Sequence, residues 1–252
     1  MRKVALVTGS ASGIGRSIAV ALARAGFDVA INYSRSEAGA LETQGLAQEQ
    51  GARALLVKAD VSREDEVIAM IDAVDEAFGG RLDLLVNNAG TTTDVPPGKF
   101  DSLSVEDFDR VFAVNVRGTF LVTKHAARLL KSMDEADVIN TASIVGLRPG
   151  PQPLPYSASK AAIISMTQTL AGALGPKIRV NALAPGWMEG DWMEKALGSN
   201  YERLMERRAK ATPLQRCATA DDVGATAVAL ATTMRFTTGQ IIIIDGGYSA
   251  VN

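Results

Sequence analysis

From end to end the sequence alternates short apolar runs with segments of helical period, and this alternation limits the fold more than any other feature. The runs "KVALVTG", "DVAINY", "ARALLVKAD", "LDLLVNNAG", "ADVINTAS", "KIRVNALAPG" and "GQIIIIDGG" are continuous rather than alternating in polarity. Strands of that kind are buried on both faces, as in a parallel sheet whose crossover helices cover both sides. Helical patterns fill the gaps, among them "GIGRSIAVALARAG" ending at Gly26, a stretch to about Phe78 behind the capping pattern "SRED", a long helix over roughly 105–133, and one from Tyr156 to about Leu174. The prediction is a single-domain, doubly wound, Rossmann-type α/β fold over residues 1–252, with a seven-stranded parallel sheet and helices on both faces. A (β/α)8 barrel has a similar rhythm, but seven strands and a glycine-rich turn after the first favour the open sheet.

Composition excludes several kinds of chemistry. A formal net charge of −2 with no long basic run argues against nucleic acid or an anionic membrane as partner. No apolar run is long enough for a membrane span, and the N-terminus reads as a buried strand rather than a signal peptide. The chain has one cysteine, Cys217, and one histidine, His125. Zinc sites built on several such ligands are therefore excluded within one chain, and no metal is expected. A Ser-His-Asp triad would need His125, which lies in a helical pattern. The lone cysteine points to a reducing, cytoplasmic setting.

"TGSASGIG" joins the first strand to the first helix. Gly9 permits a tight exit from the strand, Gly13 a close backbone approach to a ligand, and Gly15 close helix packing. Free N–H groups at the helix start then suit a pyrophosphate. Three glycines here also serve plain turn geometry. The second strand ends in "INYSRS", with no acid before Glu37 to hold ribose hydroxyls. Arg35, flanked by the hydroxyls of Ser34 and Ser36, suits a 2′-phosphate instead, so NADP(H) is preferred, with NAD(H) as the alternative. Asp60 ends the third strand where an adenine amino group would lie. "NNAG" (87–90) ends the fourth, where ligands sit in open α/β sheets.

Taken together, these pieces resemble the short-chain dehydrogenase/reductase family along essentially the whole chain. "TGSASGIG", "NNAG", Asn115 in "NVRG", Ser143 in "TAS", "YSASK", "NALAPG" and "TGQIIIIDGG" match that family's landmarks in order and spacing. The resemblance implies a catalytic set of Asn115, Ser143, Tyr156 and Lys160. It implies cofactor contacts from Gly9, Ser12, Gly13, Ile14, Gly15, Tyr33, Ser34, Arg35, Asp60, Val61, Asn88, Ala89, Gly90, Tyr156, Lys160, Pro185, Gly186, Trp187 and Met188. Tyr156 would be the general acid in carbonyl reduction and the base in alcohol oxidation. A free tyrosine has a pKa of about 10, and the Lys160 ammonium one turn away is expected to lower it. Lys160 would also hold the nicotinamide ribose, Ser143 would donate to the substrate oxygen, and Asn115 would help hold a water leading from Lys160 to solvent.

A segment over about 187–215 is expected to form a substrate lid, with Trp187, Trp192 and Met193 as an apolar wall or as lid packing. Glu189, Gly190 and Asp191 stand where relatives often carry a threonine. The prolines before Tyr156 read as a pocket rim that fixes where the helix starts. "NYERLMERRAK" reads as a solvated helix face.

The activity implied is hydride transfer between NADP(H) and a ketone, keto ester or sugar-like alcohol. A 3-oxoacyl-[acyl-carrier-protein] reductase ranks second, because "MDEAD" (Asp134, Glu135 and Asp137) would repel an acidic carrier, with only Lys177 basic near the end of the Tyr156 helix. A non-catalytic nicotinamide-binding regulator is the alternative of another class. The resemblance further implies a homotetramer.

Overall fold

The computed structural model describes residues 2–148, 150 and 152–251, with the backbone alone at 191 and 196. Its seven strands are β1 (Lys3–Val7), β2 (Phe27–Tyr33), β3 (Ala54–Lys58), β4 (Leu84–Asn87), β5 (Ala136–Thr141), β6 (Ile178–Pro185) and β7 (Ile241–Ile244). They form one sheet in the order β3-β2-β1-β4-β5-β6-β7, and every neighbouring pair is parallel. The helices are α1 (Gly13–Arg24), α2 (Glu37–Glu49), α3 (Glu64–Phe78), α4 (Val105–Phe112), α5 (Thr119–Lys131), α6 (Leu154–Leu174), α7 (Asp191–Leu197), α8 (Tyr201–Ala211), α9 (Ala220–Thr232) and α10 (Tyr248–Val251). This is the doubly wound, Rossmann-type sheet expected from the alternation.

The period of two along each strand feeds two cores. Val4, Leu6, Leu85 and Val138 pack with Val67, Met70 and Ile71 of α3 and Leu121 and Leu130 of α5. Their neighbours Ala5, Val7, Leu84, Val86 and Ile139 pack on the other face with Ile18 and Leu22 of α1 and Val223 and Leu230 of α9. Because both faces are apolar, β2 is buried at all seven positions. Each buried Leu or Ile contributes about 1.5–3 kcal/mol, so the helices hold the sheet from both sides.

The structure differs from the sequence-based expectation in three local places. The helix expected over 105–133 is continuous but contains a π-helical turn at Ala113–Gly118. The extra residue per turn re-aims Asn115, which is buried, and the Thr119 hydroxyl donates to its carbonyl at 2.8 Å. The "SRED" cap does not form: α3 starts at Glu64 with no side-chain cap, because the Ser62 hydroxyl donates to Asp60 at 2.7 Å. Helix α6 starts at Leu154, two residues before Tyr156, with Pro155 in its first turn, where a missing N–H costs nothing. Pro149 and Pro151 of the expected rim lie outside the described residues.

Candidate active site

The strand order reverses direction between β1 and β4, and the loops leaving their C-terminal ends open a crevice there. The turn after β1 is clamped from both sides. Gly9 has φ +62, and a Cβ on it would lie 2.8 Å from the Ala89 Cα. The Thr8 hydroxyl accepts from the backbone N–H of Asn88 and of Ala89 at 2.9 and 3.0 Å. The Asn88 side chain donates back to the carbonyls of Thr8 and Gly9. On the opposite side the Gly9 N–H donates to the side chain of Asn32, which in turn donates to Val57 and Ala59. Gly15 has no room for a side chain, since its Cβ would sit 2.4 Å from the Gly9 carbonyl oxygen. Sequence spacing marked the glycines. It missed Thr8, Asn32 and Arg16, whose guanidinium reaches the carbonyls of Ala11 and Gly39.

The start of α1 is left open. Ser12 precedes it without capping it through its side chain, and Gly13 (φ +53) has no heavy atom within 4 Å of a built Cβ. Uncapped N–H groups beside open space suit an anion, so the residues present fit a dinucleotide pyrophosphate. Ile14 packs against the α1 core. At the rim, Tyr33 is buried while Ser34, Arg35 and Ser36 are exposed. The Ser36 hydroxyl caps α2 by accepting from the Gly39 N–H at 3.2 Å. One Asp60 carboxylate oxygen accepts from both the N–H and the hydroxyl of Ser62, and Val61 is buried beside it.

Ser143, Tyr156 and Lys160 meet where β5 ends and α6 begins. Ser143 follows β5, caps a short 3₁₀ turn at Ile144–Gly146, and donates to Pro185 at 3.5 Å. Tyr156 is buried, which pushes its phenol up to about 12, while a hydrogen bond with Ser143 pulls the other way. The Lys160 ammonium donates to the Thr141 carbonyl at 2.7 Å and stands 5.5 Å from the centre of the Tyr156 ring. Burial draws it down to about 8. The expected lowering of the tyrosine by the lysine is therefore absent. Desolvation opposes charge on both groups and sets the direction of both shifts.

Asn115 is joined to the same cluster. Its side chain accepts from the Thr91 N–H at 2.8 Å and donates to the Thr91 carbonyl and to the Ser159 hydroxyl. Ser159 donates to the Tyr156 carbonyl at 2.7 Å. Gly90 lies between the two partners: a Cβ there would sit 3.5 Å from the Asn115 side-chain oxygen and 3.8 Å from the Lys160 nitrogen.

The segment after β6 closes the arrangement. Gly186 donates to Ile244, and Met188 bridges to Ala218. The two tryptophans part company. Trp187 lies under the Arg208 guanidinium at 4.3 Å, and Arg208 donates to the Tyr248 hydroxyl at 2.6 Å. Trp192 meets the Tyr156 ring edge-to-face, with centroids 5.6 Å apart and planes at 75°. The side chain of Asp191 lies outside the described residues. Helix α8, expected to be a solvated face, turns Met205 and part of Arg208 inward. His125 sits on α5 against Glu64, remote from this cluster in its contacts. Among the described residues no group of His, Cys, Asp and Glu could hold a metal, and no helix is long and apolar enough to cross a membrane.

The family described as enoyl-(acyl carrier protein) reductase matches residues 9–249. The 3-oxoacyl-[acyl-carrier-protein] reductase of Synechocystis is 36% identical over 248 residues, spanning 97% of this chain and 96% of that protein. An actinorhodin polyketide ketoreductase variant solved with NADPH superposes with a TM-score of 0.89 at 30% identity, covering 98% of this chain and 97% of that one. An NAD+-bound xylitol dehydrogenase gives 0.86 at 31% identity, covering 97% and 98%. With a glycine turn, a parallel sheet and a whole-length likeness all agreeing, the chain belongs to the short-chain dehydrogenase/reductase family of nicotinamide-dependent oxidoreductases.

Proposed function

We propose that the protein reduces a ketone to a secondary alcohol with NADPH, Tyr156 giving the proton. The observation that carries this reading is the meeting of the Tyr156 phenol, the Ser143 hydroxyl and the Lys160 ammonium beside Gly90. When bound, the nicotinamide supplies the hydride that adds to the carbonyl carbon. A phenol at about 12 is protonated at neutral pH, which suits a donor to the oxygen that becomes the alcohol. Ser143 donates to that same oxygen and stabilises its developing charge. Lys160, still largely charged at pH 7, holds the ribose side of the site. Asn115 fixes the Gly90–Thr91 loop and, through Ser159, the turn that carries Tyr156. Oxidation of an alcohol runs the same proton path backwards. A regulator without turnover would have no use for these groups in one place.

For the cofactor, the exposed Arg35 and Ser34 at an acid-free strand end support NADP(H), with NAD(H) as a weaker substitute. The single cysteine, buried, fits a cytoplasmic setting. A homotetramer is supported by two apolar faces. An open groove of about 860 Å³ on α4–α6 exposes Phe112, Val116, Phe120 and Met166. The edge strand β7 is four isoleucines, a hazard unless covered. Pairing of like copies through both faces would build a dihedral tetramer.

Carrier-protein reduction gains support from a set of three ion pairs. Glu135 and Asp137, whose charge argued against an acidic partner, are bound by Arg235, and Asp137 also by Arg179. Mixing the protein with NADPH and a panel of ketones, keto esters, a free 3-oxoacyl thioester and its carrier-bound form tests both readings. Loss of nicotinamide absorbance is expected with free ketones. Turnover confined to the carrier-bound thioester would favour the second reading, and none with any carbonyl would defeat both.

A further inference from the structure

Trp192 is half-exposed, at 50%, yet it is held in an edge-to-face contact with a buried phenol. Large aromatic side chains are normally either buried or paired across an interface, and an indole left open beside a reacting group is neither. Trp187 does not share this state, because Arg208 covers its face. Two leucines on the segments that lead into the Tyr156 cluster are exposed as well. Leu147, which ends the turn that Ser143 caps, is 43% exposed, and Leu154 in the first turn of α6 is 47% exposed. Both sit on segments that run into the Tyr156 cluster.

We propose that Trp192 selects the substrate, favouring ketones that carry a flat apolar group such as an aromatic ring directly beside the carbonyl. The edge-to-face contact fixes the indole plane relative to the phenol. A flat group lying on the indole face therefore delivers its carbonyl oxygen towards the hydroxyls of Tyr156 and Ser143. A polyhydroxylated carbonyl compound would turn its hydroxyls towards the apolar face of the indole, which returns no hydrogen bonds to its oxygens. The selection rests on the ketone reading above, but its binding half can be measured without turnover.

The test is titration calorimetry on the NADP-loaded protein with two probes, acetophenone and hydroxyacetone, in the wild type, Trp192→Ala and Trp192→Phe. The wild type is expected to bind acetophenone more tightly. Trp192→Ala should weaken acetophenone about tenfold and move hydroxyacetone less than about twofold, while Trp192→Phe keeps most of the aromatic preference. An equal change for both probes, an unchanged acetophenone affinity, or no acetophenone binding by the wild type overturns the proposal. If the predicted binding pattern appears while NADPH is never consumed, the reductase reading fails and the selection by Trp192 stands.

Discussion

The two halves of this site, the turn after β1 and the segment after β6, which we propose serve cofactor and substrate, are held together by different physics. Around the turn after β1, backbone meets backbone: Gly9 against Ala89, Gly15 against Gly9, with Thr8, Asn32 and Asn88 closing the hydrogen bonds. Around the segment after β6, side chains stack: Trp187 under Arg208, Arg208 on Tyr248, Trp192 on Tyr156. Backbone contacts of this kind tolerate almost no change, whereas stacked side chains on a partly exposed surface re-pack at modest cost. On the proposed function, this pairs a fixed cradle for the cofactor with an adaptable wall for the substrate.

Gly15→Ala should break the cradle most severely. Its Cβ would overlap the Gly9 carbonyl and the Asn88 amide, so we expect a loss of roughly 2–4 kcal/mol and, by thermal melt, a fall of roughly 5–10 °C. NADPH affinity measured by fluorescence should fall with it. Lys160→Met probes the boundary between the halves. Burial lowers the lysine from its ordinary 10.5 to about 8, so below pH 8 the folded protein bears the full cost of a buried charge. Between pH 8 and 10.5 the folded state sheds a proton that the unfolded state keeps, and wild-type stability from this group rises with pH. The methionine variant should therefore be more stable at pH 7 by on the order of 1–2 kcal/mol, an advantage that fades by pH 10.5. A gain that does not change with pH would refute the buried-charge account.

Arg208→Leu tests the stacked half. Losing the contacts to Trp187 and Tyr248 should cost about 1 kcal/mol and show mainly as a raised ketone KM in steady-state assays. A melting loss as large as that of Gly15→Ala would erase the distinction between the halves. Arg35→Ala should have the smallest effect, narrowing the NADPH-over-NADH affinity ratio by roughly three- to tenfold. An unchanged ratio removes Arg35 from cofactor choice.

What was legible in the sequence follows the same division. The glycine spacing, "NNAG" and the Tyr156–Lys160 pair could be read because backbone crowding and helix period leave a local pattern. The clamp by Asn32 and the pairing of Arg235 with Asp137, 98 residues apart, depend on partners that only the fold brings together. The π-helical turn that aims Asn115 leaves no periodic trace, and the failed "SRED" cap lost its serine to Asp60. The expected lowering of the Tyr156 phenol failed for a related reason. One-turn spacing reveals proximity, but not the burial that here pushes the phenol up and the lysine down.

The most direct test of the central claim is the kcat of Tyr156→Phe for NADPH-dependent ketone reduction, measured beside its NADPH affinity. The phenol as proton donor predicts a fall of about a thousandfold with cofactor affinity retained. Unchanged turnover in the phenylalanine variant would contradict it.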